Sequence, residues 1–508
     1  MLNLEEFLAH TKSMIIAPAG YGKTHTIVEC VKLCKDSKKC LILTHTHAGI
    51  ASIREKMKTE RVEPSKYSLE TISSFALHYT DVFHIDKNSI PNVEDGSTHF
   101  NFAVETTTKI LQAKPIKEAI KSAYSHLIVD EYQDCTQRQH RLILALSNIL
   151  PTHILGDPLQ GIFEFRGDSL VNMESDDDMT GFKQNKQELY IPWRWNNAGT
   201  IELVQFLSSV RSAIKRGDPI HLEDLQNHES LEIKIIHPQE YFQKNSDYHR
   251  ILYREISNKH INSLLLIHPI SENQAPRLKV IQQFPSIRLV EAIDDKDFYK
   301  YPKLFDEKQG DELIDAILLL MKNITLKTVI DNWFRADNSL KNKKNDKDKI
   351  ITNYLQRSID LVVQNKTPLN IVGLIENIQK LHENRCYRYE LLQAIIKSLR
   401  SSSTPNESIY ELMKKNRDFV RRQGRRIIGK CIGTTLLTKG LEFDTVIVLD
   451  AHLFKKPKHL YVALTRACKK LIVITQDPIL NPYPPKSGTV KHYSLFSLYH
   501  FHQFAVQP

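Results

Sequence analysis

Ser13-Met14-Ile15-Ile16-Ala17-Pro18-Ala19-Gly20-Tyr21-Gly22-Lys23-Thr24 is the stretch whose reading decides the fold. SMII is a short apolar run of strand type, Gly20 and Gly22 interrupt it, and TIVECVKLCKD continues as an amphipathic helix. In a strand, glycine turn and helix joined this way, backbone N–H groups can close on phosphate oxygens, which is the context that makes a P-loop credible. Lys23 supplies a cation to the β and γ phosphates, and the Thr24 hydroxyl can ligate Mg²⁺. Pro18 is a departure, since it removes one possible N–H donor from the loop.

Outward from this loop, KKCLILTH, SHLIVDE and PTHILGD are further short apolar runs, separated by amphipathic segments such as AGIASIREKM. Alternation of this kind predicts an α/β fold with a parallel sheet covered by helices on both faces. A second series follows in LEIKIIHP, SLLLIHP, SIRLVEAI, KCIGTTLLT, DTVIVLD and KKLIVIT. Helical pattern (DELIDAILLLMKNI, LLQAIIKSLR) and polar connectors interrupt that series. The expected organisation is a first core over 1–77 and 124–188, carrying a small insertion outside the sheet over 78–123, and a second core over 189–296 and 427–508, carrying a helical insertion over 297–426. No short-period repeat is visible. The sequence does not establish whether the two cores are related.

A chain of 508 residues exceeds what one core supports, and 41% hydrophobic with 25% charged residues is the balance of a soluble globular protein. No run reaches the roughly 18 apolar residues that a membrane span requires. The acidic start MLNLEEFLAHTK is unlike a secretory signal, so a cytoplasmic protein without a membrane partner is expected. The net charge of +10 suits a phosphate-rich polymer without requiring one. Seven cysteines form no CxxC pair, and Cys30 and Cys34 lie one turn apart on the expected helix, as free thiols do.

Two acidic residues, Asp130 and Glu131, end the run LIVDEYQD. Opposite a P-loop, such a pair can hold Mg²⁺ through Asp130 and polarise an attacking water through Glu131. Without the loop, a charged turn after a buried strand would be the better reading. Gly156 to Gly167, GDPLQGIFEFRG, set Gln160 just before Phe163 and Phe165. A segment that senses a phosphate could thereby move two aromatic rings, although both rings could equally be core.

The order APAGYGKT, LTHTHAG, LETISSFA, DEYQD, GDPLQGIFEFRG, PWRWN, TKGLEFD and YVALTRA resembles the motif series of superfamily 1 helicases of the UvrD/Rep/PcrA type, from about Ser13 to Thr475. The resemblance implies two RecA-like motor domains with ATP in the cleft between them and single-stranded DNA across their tops. By position it makes Gln160 a γ-phosphate sensor and Arg194 and Arg466 arginine fingers. Gly440 and Glu442 then belong to the nucleotide cleft. Trp193 replaces a tyrosine that stacks on the base of ATP. Phe163 and Phe165 would stack on nucleic-acid bases, where stacking is worth roughly 1–3 kcal/mol per base, and Arg166 would follow them on the strand. Thr44, Thr46, Thr71 and Thr434 match positions near the phosphodiester backbone. The basic run Arg421, Arg422, Arg425 and Arg426 reads first as a solvated helical face and second as a duplex contact.

Departures accompany the match. The glutamine-bearing segment that reads adenine is not found before Ser13, His45 replaces a base-stacking phenylalanine, and Ser73 and Leu436 stand where histidines are common. Both insertions are small for the family. Compact chains of this type resemble the helicase subunit of the Gabija anti-phage system, which implies an OLD-family ATPase-nuclease as partner. The expected activity is an ATP- and Mg²⁺-dependent 3′-to-5′ translocase and helicase on single-stranded or tailed DNA, serving repair or anti-phage defence. The alternative is a DNA-stimulated ATPase that senses ends or single strands and regulates a partner nuclease. No second catalytic module is visible, and the aromatic tail after Thr475 has no assigned role.

Overall fold

In the computed structural model the described residues are 3–34, 37–92, 96–163, 168–223, 225–270, 273–292, 296–381, 386–402, 407–423, 427 and 429–484. Six parallel strands form the first sheet: β1 (Lys12–Ile16), β2 (Lys39–Thr44), β3 (Tyr67–Thr71), β4 (Tyr124–Val129), β5 (Thr152–Gly156) and β6 (Lys186–Glu188), in the order β3-β2-β4-β5-β1-β6. Their central members are apolar on both faces, as strands covered by helices on two sides must be. Along β2, Leu41 and Leu43 join the cluster that holds Leu127 and Ile154, while Cys40 and Ile42 join the opposite cluster with Ile15 and Leu155.

The 78–123 segment is helical, closing the helix Ile72–Phe83 and adding helices Ser97–Ile110 and Lys114–Ala123. Ala103, Val104, Leu111 and Ile120 recur at helical spacing and are buried with Leu41, Leu43 and Leu127, so the described residues of the segment add helices and no strand, and pack on one face of the first sheet.

The strands β7 (Ile220–His221), β8 (Leu231–Ile235), β9 (Ser263–Ile267), β10 (Arg288–Leu289), β11 (Gly429–Gly433), β12 (Phe443–Val448), β13 (Ala467–Thr475) and β14 (Ile479–Leu480) belong to the second half. Six of them form a second parallel sheet in the order β10-β11-β9-β12-β13-β8, and β14 pairs antiparallel with β7. Setting β8, β9, β10, β12 and β13 against β1, β2, β3, β4 and β5 gives one strand order for both sheets, with β11 inserted between β10 and β9. The likeness extends to the backbone. Glu131 follows β4 at φ 54° and Asp450 follows β12 at φ 47°, each leading into a 3-10 turn. These are two RecA-like α/β domains.

Between β10 and β11 runs a helical segment, from the helix Asp297–Glu307 to the helix Ile409–Gln423, with an apolar core of its own around Ile317, Ile330, Ile375 and Ile395. It is tied to the second sheet by a buried pair, Arg388 Nε to Glu291 Oε1 at 3.0 Å. Among the described residues no helix is long and apolar enough to cross a membrane.

Candidate nucleotide cleft between the two domains

Ile16 ends β1, and the chain turns at Gly20 (φ 75°) and Gly22 (φ 93°) before the helix Lys23–Leu33 begins. Both glycines sit in the left-handed region, which only a residue without a Cβ enters at little cost. Gly22 caps the helix without a side chain, so the first amides of the helix stay available to an anion. Ala17 and Ala19 are buried beneath the turn, the Tyr21 amide donates to the Pro18 carbonyl at 3.3 Å, and Lys23 Nζ donates to the Ala17 carbonyl at 3.0 Å.

Opposite the loop, β4 delivers Asp130 and Glu131, and the Glu131 amide donates to Asp130 Oδ1 at 2.9 Å. A non-glycine residue at φ 54° is costly, roughly 1–3 kcal/mol, and is tolerated where it aims a functional side chain. Burial and the adjoining Glu131 push the Asp130 carboxyl up to about 7. For Glu131 burial acts upward too, but Lys23, Lys439 and Arg466 outweigh it and hold this carboxyl below its ordinary value. Glu131 is thus held towards its charged form and Asp130 towards its neutral one. Asp130 and Thr24 line the same cleft, of about 210 Å³. One carboxylate and one hydroxyl there fit Mg²⁺, which takes few protein ligands and completes its shell with water and phosphate oxygens. Among the described residues no group of three or more His, Cys, Asp or Glu side chains is placed to hold a metal ion by itself.

The second domain closes the cleft. Arg466 is buried, donates Nη2 to Gln160 Oε1 at 3.1 Å, and is held by the carbonyls of Val462 and Leu441 at 2.9 and 3.2 Å. Burial, with Arg194 nearby, lowers its guanidinium to about 10, which leaves it charged at neutral pH. Arg194 ion-pairs with Glu442 and donates to the Thr465 carbonyl at 2.6 Å, while its amide donates to the Gly20 carbonyl at 3.0 Å. Gly440 (φ 78°) lines the same cleft. The Trp193 ring lies over Gly22 and remains 49% exposed at the mouth, an open face for a base.

Thr44 and Thr71 end β2 and β3 and are register partners, and Thr434 follows β11, so all three stand at the carboxyl edges of the sheets. Thr71 caps the helix Ile72–Phe83 and Thr46 caps the helix His47–Thr59, whereas Thr44 Oγ1 is buried with no hydrogen-bond partner among the described residues. His45 Nε2 lies 3.3 Å from Cys135 Sγ. Burial, with Lys439 adding to it, lowers its imidazole to about 3, so it is a neutral ring turned into the first domain. Phe163 lies under Lys439 Nζ, 5.0 Å from the ring centroid. Phe165 and Arg166 fall outside the described residues, as do Arg425 and Arg426; Arg421 and Arg422 end the helix Ile409–Gln423.

Sequence reasoning missed several partners of these residues. Gln133 donates to Glu131 and accepts from the Asp157 amide at 2.9 Å, so it ties the end of β4 to the end of β5. Asp157 is paired with Arg211 at 2.8 and 2.9 Å, and Lys439 is buried on Asp134 and on the Gln160 carbonyl. Trp195 packs on Gly20 and donates Nε1 to the Ala467 carbonyl at 2.9 Å. The available signal was acidic and basic residues lying inside otherwise apolar motifs.

Fold and cleft together define a P-loop nucleotide-binding protein with two RecA-like domains. The AAA domain family matches residues 3–166, which run from the P-loop through the turn carrying Gln160. The A subunit of an ATP-dependent helicase/nuclease from Streptococcus equi subsp. zooepidemicus (strain MGCS10565) is 27% identical over 175 residues, 32% of this chain and 14% of its own. The protein of the same name from Oenococcus oeni is 27% identical over 155 residues, 30% of this chain and 12% of its own. A probable DNA helicase II homolog of Mycoplasma capricolum is 27% identical over 118 residues, 23% of this chain and 16% of its own. The matched part is thus a small share of each relative, 12–16% of its length.

Proposed function

We propose that the chain is an ATP-driven, Mg²⁺-dependent DNA translocase and helicase, moving 3′-to-5′ on single-stranded or tailed DNA in repair or anti-phage defence. The observation that carries this reading is the contact of Arg466 with Gln160 across a cleft that already holds Lys23 and Glu131. A cation from one domain on the sensor of the other makes hydrolysis depend on closure.

The amides of Gly20 to Thr24 and the Lys23 ammonium bind the phosphates. Glu131 takes the proton of the attacking water, and Arg194 and Arg466 stabilise charge that spreads over the transferring phosphoryl group. Thr24 and Asp130 would hold Mg²⁺, which would supply charge neutralisation to the bound phosphates. Phe163, together with Phe165 and Arg166, which follow it in sequence, would grip the strand, and Thr44, Thr71 and Thr434 at the carboxyl edges of the sheets would meet its backbone. His45, neutral and directed at Cys135, leaves more of that grip to the phenylalanines.

Strand displacement on a 3′-tailed duplex with ATP tests the reading, against a 5′-tailed control for polarity. Strong stimulation of ATP hydrolysis by DNA with no displacement would support instead an ATPase that senses DNA and regulates a nuclease. Co-purification with an OLD-family ATPase-nuclease would favour the anti-phage assignment.

A further inference from the structure

The turn Pro158–Gln160 follows β5 and so belongs by sequence to the first domain, yet cations of the second domain hold it at three points. Arg211, on the helix Ile201–Arg216, grips the Asp157 carboxylate with both terminal nitrogens at 2.8 and 2.9 Å and donates to Tyr461 Oη at 2.8 Å. Lys439 donates to the Gln160 carbonyl and ion-pairs with Asp134. Arg466 donates to the Gln160 side chain at 3.1 Å, and Gln160 Nε2 in turn donates to Asp157 Oδ2 at 3.0 Å.

Asp157 and Asp134 are fully buried, and a buried carboxylate keeps its charge only while a cation and hydrogen bonds offset the lost water. The first domain therefore presents two buried carboxylates whose counter-charges come from the second. Separation of the domains would strip both at once and release the turn. With the domains together, the turn is fixed from its carboxylate end by Arg211 and from its carbonyl end by Lys439, and the Gln160 side chain is left to point at Arg466.

We propose that Arg211 and Lys439 are positioning residues which make the placement of Gln160 a readout of domain closure. Neither lies among the residues lining the nucleotide cleft, so both act through the turn. The inference rests on the proposed ATPase activity and on Gln160 as its phosphate sensor. It adds that the sensor is built jointly by both domains, and that Lys439, which also lies over the Phe163 ring, links the turn to the strand-binding edge.

Steady-state ATP hydrolysis by the full chain, without DNA, tests it with two variants. Asp157→Asn combined with Arg211→Met removes both charges together and leaves no unpaired buried ion, while Arg211→Lys keeps the charge and loses the two-pronged geometry. For a group that places a sensor without binding substrate, kcat should fall by about 10- to 100-fold while KM for ATP moves by less than about twofold. Arg211→Lys should lie between the wild type and the double variant. A folded double variant, verified by its thermal melt, that turns over at the wild-type kcat overturns the inference. So does one whose KM rises at unchanged kcat, because the pair would then serve nucleotide binding. A wild-type chain without ATPase activity would overturn the proposed function itself, and the positioning role with it.

Discussion

Arg466 of the second domain and Gln160 of the first meet at 3.1 Å; the Arg466 guanidinium is also held by the Val462 and Leu441 carbonyls and Thr465, while the Gln160 amide donates to Asp157 and its backbone carbonyl accepts from Lys439. A bridge of this kind forms only when the two sheets are brought together. Arg466→Ala should lower kcat for ATP by roughly 100- to 1,000-fold, the usual scale for losing one pre-organised donor to a transition state. Gln160→Ala should fall in the same range, and the double variant should be little worse than either single one. Single-turnover hydrolysis measures all three.

Glu131→Gln removes the proton acceptor and keeps the shape of the site. Turnover should fall below detection while a fluorescent ATP analogue still binds, and Lys23→Ala should weaken that binding as well. Unchanged turnover in Glu131→Gln would remove it from the mechanism.

Trp193 rests on Gly22 with about half its surface open. Stacking of a nucleobase on the indole should quench its fluorescence when nucleotide is added, and Trp193→Ala should raise KM for ATP with kcat largely kept. Loss of kcat alone would assign the ring to packing.

Phe163→Ala and Phe165→Ala should each weaken binding of single-stranded DNA at fixed salt by about 1–3 kcal/mol and leave ATP hydrolysis without DNA in place. Fluorescence anisotropy with a labelled oligonucleotide reads this directly. Unchanged affinity would make both rings core residues.

His45 and His153 are held neutral by burial, each lowered from 6.5 to about 3. Both protonate more readily in the unfolded chain than in the folded one. The stability they contribute is complete above pH 6.5 and is lost as pH falls towards 3. Denaturant melts between pH 7.5 and about 4.5 should show this decline, and His45→Phe should flatten part of it. An unaltered slope would place the acid sensitivity elsewhere.

Much of the cleft was legible because its signals are local. Gly20, Gly22, Lys23 and Thr24 lie within five residues, so their place in one turn could be read from spacing alone, and Asp130 and Glu131 end a run that is apolar enough to be a central strand. The strands β3 and β6 were harder. YSLET alternates polar and apolar residues at an edge of the sheet, and β6 has only three residues. The helices of 78–123 read as polar because only one stripe of each is apolar. Least legible were the pairs that join the domains, since Asp157 and Arg211 lie 54 residues apart and Asp134 and Lys439 lie 305 apart. No periodicity carries such a pairing, and only the closed fold brings the charges together.

The matched strand order of the two sheets has a consequence for direction. After β1 the first domain makes a glycine turn, but after β8 its counterpart continues through His237 into the 3-10 turn Pro238–Glu240, which offers no such cradle. The first domain thus carries the glycine turn at the cleft, and the second faces it with Arg466. A pair with a cradle on each copy would close alike from either side. Here the two sides are unlike, and under the proposed function closing on ATP would be directional for that reason.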